Sequence, residues 1–88
     1  MTVRLIISGK VQGVFFRAST KDQAVILDVK GWVKNTADGK VEILASGSDS
    51  SVNKFIEWCR QGPPQAKVTK VDILREDEKK FERFSILR

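Results

Sequence analysis

The chain has 88 residues, of which 41% are apolar and 31% charged, and its formal net charge is +5 at pH 7. This length allows one compact core with a thin burial margin, so we expect a single domain over residues 1–88. No segment is apolar enough over sufficient length to span a bilayer, and the N-terminus lacks a signal-peptide pattern, which predicts a cytoplasmic protein. The positive charge favours an anionic partner, either a small phosphorylated molecule or a nucleic acid.

The first predicted elements are a strand and a helix joined by a loop. Apolar residues alternate from Val3 to Ile7, which is typical of a strand with one apolar face, and the strand ends near Gly9. From Arg17 to about Leu27 the chain contains neither proline nor glycine, and residues recur at helical spacing: Phe16, Thr20, Ala24 and Leu27. We expect Val25 and Ile26 to broaden the apolar side of this helix.

A hairpin and a second helix are predicted next. The extended segments Gly31–Asn35 and Val41–Ala45 flank Asp38-Gly39, a pair that favours a tight turn. Ser48 or Asp49 can cap the following helix, whose apolar residues fall at i, i+3, i+4 and i+7: Val52, Phe55, Ile56 and Cys59. A glycine and two prolines then end this helix.

Two more extended segments complete the order of elements. Val68–Leu74 predicts a strand with Thr69, Val71 and Ile73 on one face, and Phe84–Leu87 predicts a strand near the C-terminus. The order βαββαβ plus a terminal strand predicts an α+β fold of the ferredoxin-like, split βαβ type. In this fold, two helices cover one face of a mostly antiparallel sheet. The fold hosts many functions, so the function has to be argued from the site.

The loop Gly9–Phe16, followed directly by Arg17, is the main candidate for a binding site. Amide N–H groups at a helix N-terminus attract an anion, and the glycines at positions 9 and 13 allow a tight turn around it. Arg17 is a cation at the positive end of the helix dipole, which is unfavourable unless a bound anion compensates it. We therefore predict a phosphate site with Arg17 as a planar donor fork, the alternative being a solvated arginine. For Gln12 we expect a structural role.

Asn35 ends the second predicted strand and precedes the hairpin turn. A short amide at such a position is commonly a turn former. The functional alternative is that its carboxamide positions a water molecule for attack on phosphorus. That alternative requires Asn35 to lie near the loop, and we expect the fold to provide this by placing the second strand beside the first.

The residue inventory excludes several kinds of catalyst. Histidine is absent and Cys59 is the only cysteine, which rules out histidine triads, an internal disulfide and a cysteine–histidine zinc site. The carboxylates show no metal-binding spacing. Cys59 lies on the apolar stripe of the second helix, where we expect it to pack as a small hydrophobic residue. We therefore expect chemistry without a metal, a cofactor or a protein nucleophile.

Two segments resemble the signature motifs of the acylphosphatase family. The first is Gly9-Lys10-Val11-Gln12-Gly13-Val14-Phe15-Phe16-Arg17, and the second is Gly31-Trp32-Val33-Lys34-Asn35-Thr36 together with Asp38-Gly39. The two motifs occur in the order and at the separation that the family shows. The similarity continues through Gly47, the segment Gly62–Ala66 and Phe84–Ile86, so it covers almost the whole chain.

The resemblance implies metal-free hydrolysis of the carboxyl-phosphate anhydride of acyl phosphates, which yields a carboxylate and inorganic phosphate. By motif position, Arg17 would bind the phosphate together with the loop amides, and Asn35 would orient the attacking water. The implied phosphate-binding loop consists of Gln12, Gly13, Val14, Phe15, Phe16 and Arg17. The expected partners are a small acyl phosphate and inorganic phosphate, the latter as product and competitive inhibitor. We expect a monomer that binds neither nucleic acid nor a membrane.

The chain departs from the family at the end of the first helix. A glycine usually follows Leu27, but this chain has Asp28, and polar residues are more usual at the positions of Val25 and Ile26. A left-handed cap favours glycine. We expect these departures to affect the stability or geometry of the helix end rather than the site.

Two other interpretations stay open. One is a non-catalytic ferredoxin-like module that binds an anion or RNA. RNA-binding modules of this fold stack bases on strand aromatics, and the first and third predicted strands carry none. The other is a phosphate-site domain belonging to a larger carbamoyl-transfer protein.

Overall fold

The computed structural model describes all residues from Met1 to Arg88. The strands are β1 (Thr2–Lys10), β2 (Lys30–Asn35), β3 (Val41–Ser46), β4 (Lys67–Glu76) and β5 (Phe84–Ile86). The helices are α1 (Phe16–Ile26) and α2 (Asp49–Gln61). The predicted order of elements is confirmed. Neither helix has the length and apolar character needed to cross a membrane.

The strands form one sheet in the order β4-β1-β3-β2-β5. Neighbouring strands are antiparallel, except that β5 runs parallel to β2. The two helices contact each other and lie on one face of the sheet, α1 against β2 and β5 and α2 against β4. The ferredoxin-like α+β fold with a mostly antiparallel sheet is thus confirmed.

The apolar core fills the space between the sheet and the helices. The alternation seen in the sequence places one side of the central strands there, each residue at most 1% exposed: Val3, Leu5, Ile7, Val33, Val41, Ile43 and Ala45. The predicted stripe of α2 is buried against them, and the ring of Phe55 lies 5.9 Å from that of Phe84 in β5. Complete burial of such a side chain contributes about 1.5–3 kcal/mol.

Local capping and turn signals are realised as the sequence predicts. The Ser51 amide donates to the Ser48 hydroxyl over 3.1 Å, so Ser48 caps α2. In the hairpin between β2 and β3, the Thr36 amide donates to the Lys40 carbonyl over 2.9 Å. Gly39 takes a positive φ of 86° in the turn, a conformation that glycine adopts without strain.

β3 lies between β1 and β2, so the prediction that the second strand lies beside the first is wrong. β3 pairs with β1 on one side and with β2 on the other. A central strand has to tolerate burial on both faces, and β3 does so, because Ile43 faces the helices while Leu44, on the opposite face, is only 3% exposed.

The end of α1 also differs from the prediction. Phe16, Thr20 and Ala24 are buried as expected, but Val25 and Ile26 are 66% and 72% exposed. Successive helical residues point about 100° apart, so the two positions after Ala24 turn away from the stripe that faces the sheet. The prediction that they broaden the buried side is therefore wrong.

β4 extends beyond the predicted Val68–Leu74, and its predicted face is only partly correct. We expected Thr69, Val71 and Ile73 to share one face. Instead, Val68 and Val71 pack against the core, while Thr69 is exposed. The pairing of β1 with β4 shifts by one residue near the end of β1, and such a bulge interrupts the alternation. Ile73 remains 40% exposed on this edge strand.

Candidate active site

The C-terminal ends of β1, β2 and β5 lie at the same end of the sheet. β1 and β2 are both antiparallel to β3 and therefore run parallel to each other, and β5 runs parallel to β2. With β3 between them, the ends of β1 and β2 are two strand spacings apart, or about 10 Å. A cavity of about 320 Å³ lies at this end of the sheet. It is lined by Val11, Gly13, Phe15, Phe16, Arg17, Ala18, Asn35, Ile86 and Arg88.

The loop between β1 and α1 presents a series of unpaired amides. Gly13 and Phe15 have positive φ values of 74° and 62°, while Val14 between them does not. Such alternation directs successive N–H groups toward a common concavity. From Gln12 to Ala18, no amide donates a hydrogen bond to an acceptor of the protein, and α1 has no side-chain cap. The loop therefore offers consecutive donors suited to an oxyanion.

Arg17 lies in the first turn of α1, is half-buried and lines the cavity. No ion pair of the protein includes its guanidinium. The first turn of α1 also contains no acidic residue. The positive end of the helix dipole and an uncompensated guanidinium thus lie together, which favours a bound anion over an isolated cation.

Asn35 is the last residue of β2 and lines the same cavity. The polar contacts of the adjacent hairpin are made by Thr36, whose hydroxyl accepts from the Lys40 amide over 3.0 Å and donates to the Asp38 carboxylate. The Asn35 carboxamide takes part in none of these bonds. Because Thr36 stabilises the turn, the turn-former interpretation loses its support, and the Asn35 side chain is available to a ligand.

Gln12 connects the loop to the hairpin. Its side-chain amide donates to the carbonyl oxygens of Thr36, at 2.9 Å, and Lys40, at 2.8 Å. These bonds fix the loop relative to the residues that directly follow Asn35. The structural role expected for Gln12 is confirmed.

The side chains of the predicted loop are divided between the core and the cavity. Val14 is 3% exposed and belongs to the core. Phe16 is 2% exposed, and its ring lies 5.8 Å from that of Trp58 in α2, which anchors the start of α1. The structure brings together at the cavity five of the residues predicted from the sequence: Gly13, Phe15, Phe16, Arg17 and Asn35.

Ile86 and Arg88 also line the cavity, but the sequence analysis did not assign them to the site. They reach it because β5 pairs in parallel with β2, with Val33 opposite Ile86. The motif resemblance stopped at Ile86, and no local pattern tells which strand a three-residue segment will join. Arg88 adds a second cationic residue to the cavity wall.

Cys59 lies away from this cavity and is fully buried in the core. Burial raises the pKa of its thiol above the ordinary value. The thiol therefore stays protonated, and the prediction that Cys59 packs as a small hydrophobic residue is confirmed.

Unpaired amides at a helix N-terminus, an uncompensated arginine and a free carboxamide thus lie at one cavity of a ferredoxin-like fold, an arrangement suited to an anion. A family model described as Acylphosphatase matches residues 3–86. The chain belongs to the acylphosphatase family, as its sequence motifs predicted. The prediction of an enzyme of the acylphosphatase type is confirmed, since curated relatives and solved structures similar to the chain bear that name.

The similarity to these relatives extends over nearly full lengths. An acylphosphatase of Acaryochloris marina (strain MBIC 11017) is 50% identical over 86 residues, which span 98% of this chain and 92% of that protein. The crystal structure of acylphosphatase from Bacillus subtilis superposes with a TM-score of 0.94 at 39% identity, covering 99% of this chain and 98% of that one. The structure of an acylphosphatase from Coxiella burnetii gives the same TM-score at 40% identity, covering 98% and 90%.

Proposed function

We propose that this protein hydrolyses acyl phosphates in the cavity between Arg17 and Asn35. The observation that carries the proposal is the run of unpaired amides from Gln12 to Ala18 next to the unpaired Arg17 guanidinium. No carboxylate, imidazole or thiol side chain lines this cavity. Stabilisation of the phosphate charge therefore falls to N–H donors and the guanidinium, without a metal.

The loop binds the phosphoryl group of the substrate. Backbone amides donate to its equatorial oxygens, and the Arg17 fork donates to two oxygens at once. These donors are fixed before the substrate arrives, because Gln12, Val14 and Phe16 fasten the loop to the hairpin, the core and α2. Fixed donors stabilise the charge that develops in the transition state without reorganising.

Hydrolysis then needs only a correctly placed water. The Asn35 carboxamide binds this water in line with the bond to be broken. The water oxygen forms a bond to phosphorus while the bond from phosphorus to the bridging oxygen breaks. The electron pair of that bond leaves on the carboxylate, and the water proton passes to a phosphate oxygen or to solvent. A carboxylate is a good leaving group, so positioning and charge stabilisation suffice in a loose transition state.

The test is a spectroscopic assay of benzoyl phosphate hydrolysis, with inorganic phosphate as a competitive inhibitor. Arg17→Ala should lower kcat by a factor on the order of 10²–10³ with the fold intact. Asn35→Ala should lower kcat strongly while changing the inhibition constant of phosphate little, because a group that positions water acts on the chemical step. Addition of a chelator should leave the activity unchanged.

Two exposed residues of α2 supply matched controls. Asn53→Ala removes the other asparagine of the chain, and Arg60→Ala removes an arginine paired at the surface with Glu57 over 3.1 Å. Both variants should retain the activity of the parent protein. Equal losses of kcat and phosphate affinity in Asn35→Ala would contradict the water-positioning role, and loss of activity with chelator would contradict the metal-free mechanism.

RNA binding is less well supported than acyl phosphate hydrolysis, because the face of the sheet that the helices leave uncovered is poorly suited to base stacking. Trp32 is the aromatic residue there, and Arg4 and Lys34 lie over its ring at 5.8 and 5.3 Å. Arg4 is in turn paired with Glu42 and Glu76. A ring already covered by cations, with carboxylates close by, is a poor platform for base stacking.

A further inference from the structure

We propose that the Phe15 side chain contacts the acyl group of the substrate and makes the enzyme favour acyl phosphates with an aromatic or bulky apolar acyl group over acetyl phosphate. This inference rests on the proposed function, because it names the substrate class for the same cavity. It assigns the side chain of Phe15 a role distinct from that of the loop amides.

The first observation is the exposure of the Phe15 ring. Phe15 is 76% exposed, the highest value among the large apolar residues of the chain and the only aromatic one in that group. An exposed ring forfeits the favourable transfer from water that a buried phenylalanine gains. The three-dimensional structure of the protein alone therefore gives no reason for a phenylalanine at this position.

The second observation is the backbone conformation of Phe15. Its φ of 62° and ψ of 24° lie in the left-handed region, which bulky side chains rarely adopt. Asp28 is the other non-glycine residue with a positive φ, and aspartate tolerates that region better. Glycine at position 15 would accept both the conformation and the exposure. Residues held in unfavourable conformations cluster at functional sites.

The third observation is the chemical division of the cavity wall. Arg17, Asn35 and Arg88 supply polar groups, whereas Phe15 and Ile86 are among the apolar residues of the same wall. An acyl phosphate has the same division, with a charged phosphoryl group and an acyl group of variable apolar area. A benzoyl group can stack on the Phe15 ring in an offset or edge-to-face arrangement, but an acetyl group offers a single methyl.

The experiment compares kcat/KM for benzoyl phosphate and acetyl phosphate in the full-length protein. The readout is the ratio of the two values, because both substrates carry the same phosphoryl group and damage to the loop amides lowers both alike. Phe15→Asn removes the ring but keeps a residue that tolerates the left-handed region. Phe15→Trp keeps an aromatic ring.

We expect the benzoyl-to-acetyl ratio to fall by about tenfold in Phe15→Asn, the lower end of what apolar contacts contribute to discrimination. In Phe15→Trp the ratio should stay near that of the parent protein or rise. Ile26→Ala is the control, because Ile26 is an exposed apolar residue of the same helix that does not line the cavity. Its ratio should be unchanged.

A ratio in Phe15→Asn that stays within about twofold of the parent value, where a full apolar contact contributes tenfold or more, overturns the inference. A fall of the same size in Ile26→Ala also overturns it. Failure of the proposed function is distinguishable, because then Arg17→Ala would hydrolyse both substrates as fast as the parent protein. Hydrolysis of neither substrate by the parent protein would overturn both proposals.

Discussion

Replacing Asp28 by glycine should stabilise the protein, because Asp28 holds the left-handed conformation that ends α1. Its φ is 57°. Two backbone hydrogen bonds close the turn before it. The Leu27 amide donates to the Gln23 carbonyl over 2.9 Å, and the Asp28 amide donates to the Val25 carbonyl over 3.3 Å. Glycine keeps both bonds and removes the clash of Cβ with the backbone.

The expected gain is the difference between two opposing effects. A left-handed conformation costs an L-residue about 1–2 kcal/mol, and aspartate is at the lower end. The greater freedom of glycine in the unfolded chain offsets about 0.5–1 kcal/mol of the gain. The ion pair from Asp28 to Lys30 is 3.7 Å long between exposed side chains and contributes little. A net gain of up to about 0.5 kcal/mol remains, which raises the Tm of a domain this size by at most about 2–4 °C.

Thermal and urea unfolding of the parent protein, Asp28→Gly and Asp28→Ala would measure this effect. Asp28→Ala is the matched control, because it removes the same carboxylate but retains Cβ, and it should be less stable than the parent protein. Asp28 does not line the cavity that contains Arg17, so Asp28→Gly should hydrolyse acyl phosphates at the parent rate. A lower Tm for Asp28→Gly than for Asp28→Ala would refute the assignment of strain to this position.

Three further outcomes follow from contacts described above. Gln12→Ala should lower the free energy of unfolding by about 1–2 kcal/mol, since it removes two hydrogen bonds, and should also lower kcat/KM; the exposed Gln65→Ala serves as control in urea titrations, and equal stability of the two variants would contradict the bridging role. The buried Cys59 thiol, with its raised pKa, should react with dithiobis(nitrobenzoate) only as fast as the protein unfolds, and immediate labelling of the native protein would show that the core is open there. A hydrogen bond from the Thr36 hydroxyl holds the pKa of Asp38 below its ordinary value of 3.8, so this carboxylate stabilises the fold at neutral pH and loses that contribution as the pH falls through the lowered value. Asp38→Asn should therefore flatten the acid side of the plot of unfolding free energy against pH, and an unaltered slope would contradict this.

Local patterns predicted the elements of the fold well, because each depends on neighbours in sequence. The stripe of α2, the Ser48 cap and the turn at Gly39 all follow from helical spacing or turn chemistry. The order of strands in the sheet does not follow from such local patterns, because it depends on which strand can be buried on both faces. Leu44 and Ile43 carried that information in adjacent positions, but the prediction, which correctly paired β2 with β3 in a hairpin, placed β2 beside β1.

The candidate site was predictable where one continuous segment forms it. The loop and Arg17 are adjacent in sequence, so glycine positions and the helix start sufficed to indicate an anion site. The position of Asn35 at a strand end left its role open, and the motif resemblance assigned it to the site. The expected reason for its closeness to the loop, a second strand beside the first, was wrong. Arg88 was missed, because its position depends on the parallel pairing of β5 with β2, which no periodicity reveals.

The central position of β3 affects when activity returns during refolding. The strands β1 and β2, whose ends carry the loop and Asn35, are joined within the sheet only through β3, so the two sides of the cavity take their native spacing only when β3 is paired with both. Regain of hydrolysis after dilution from denaturant should therefore trail the recovery of helical signal and report the last sheet-closing event. The rate at which hydrolysis returns thus measures how fast the native strand order is completed.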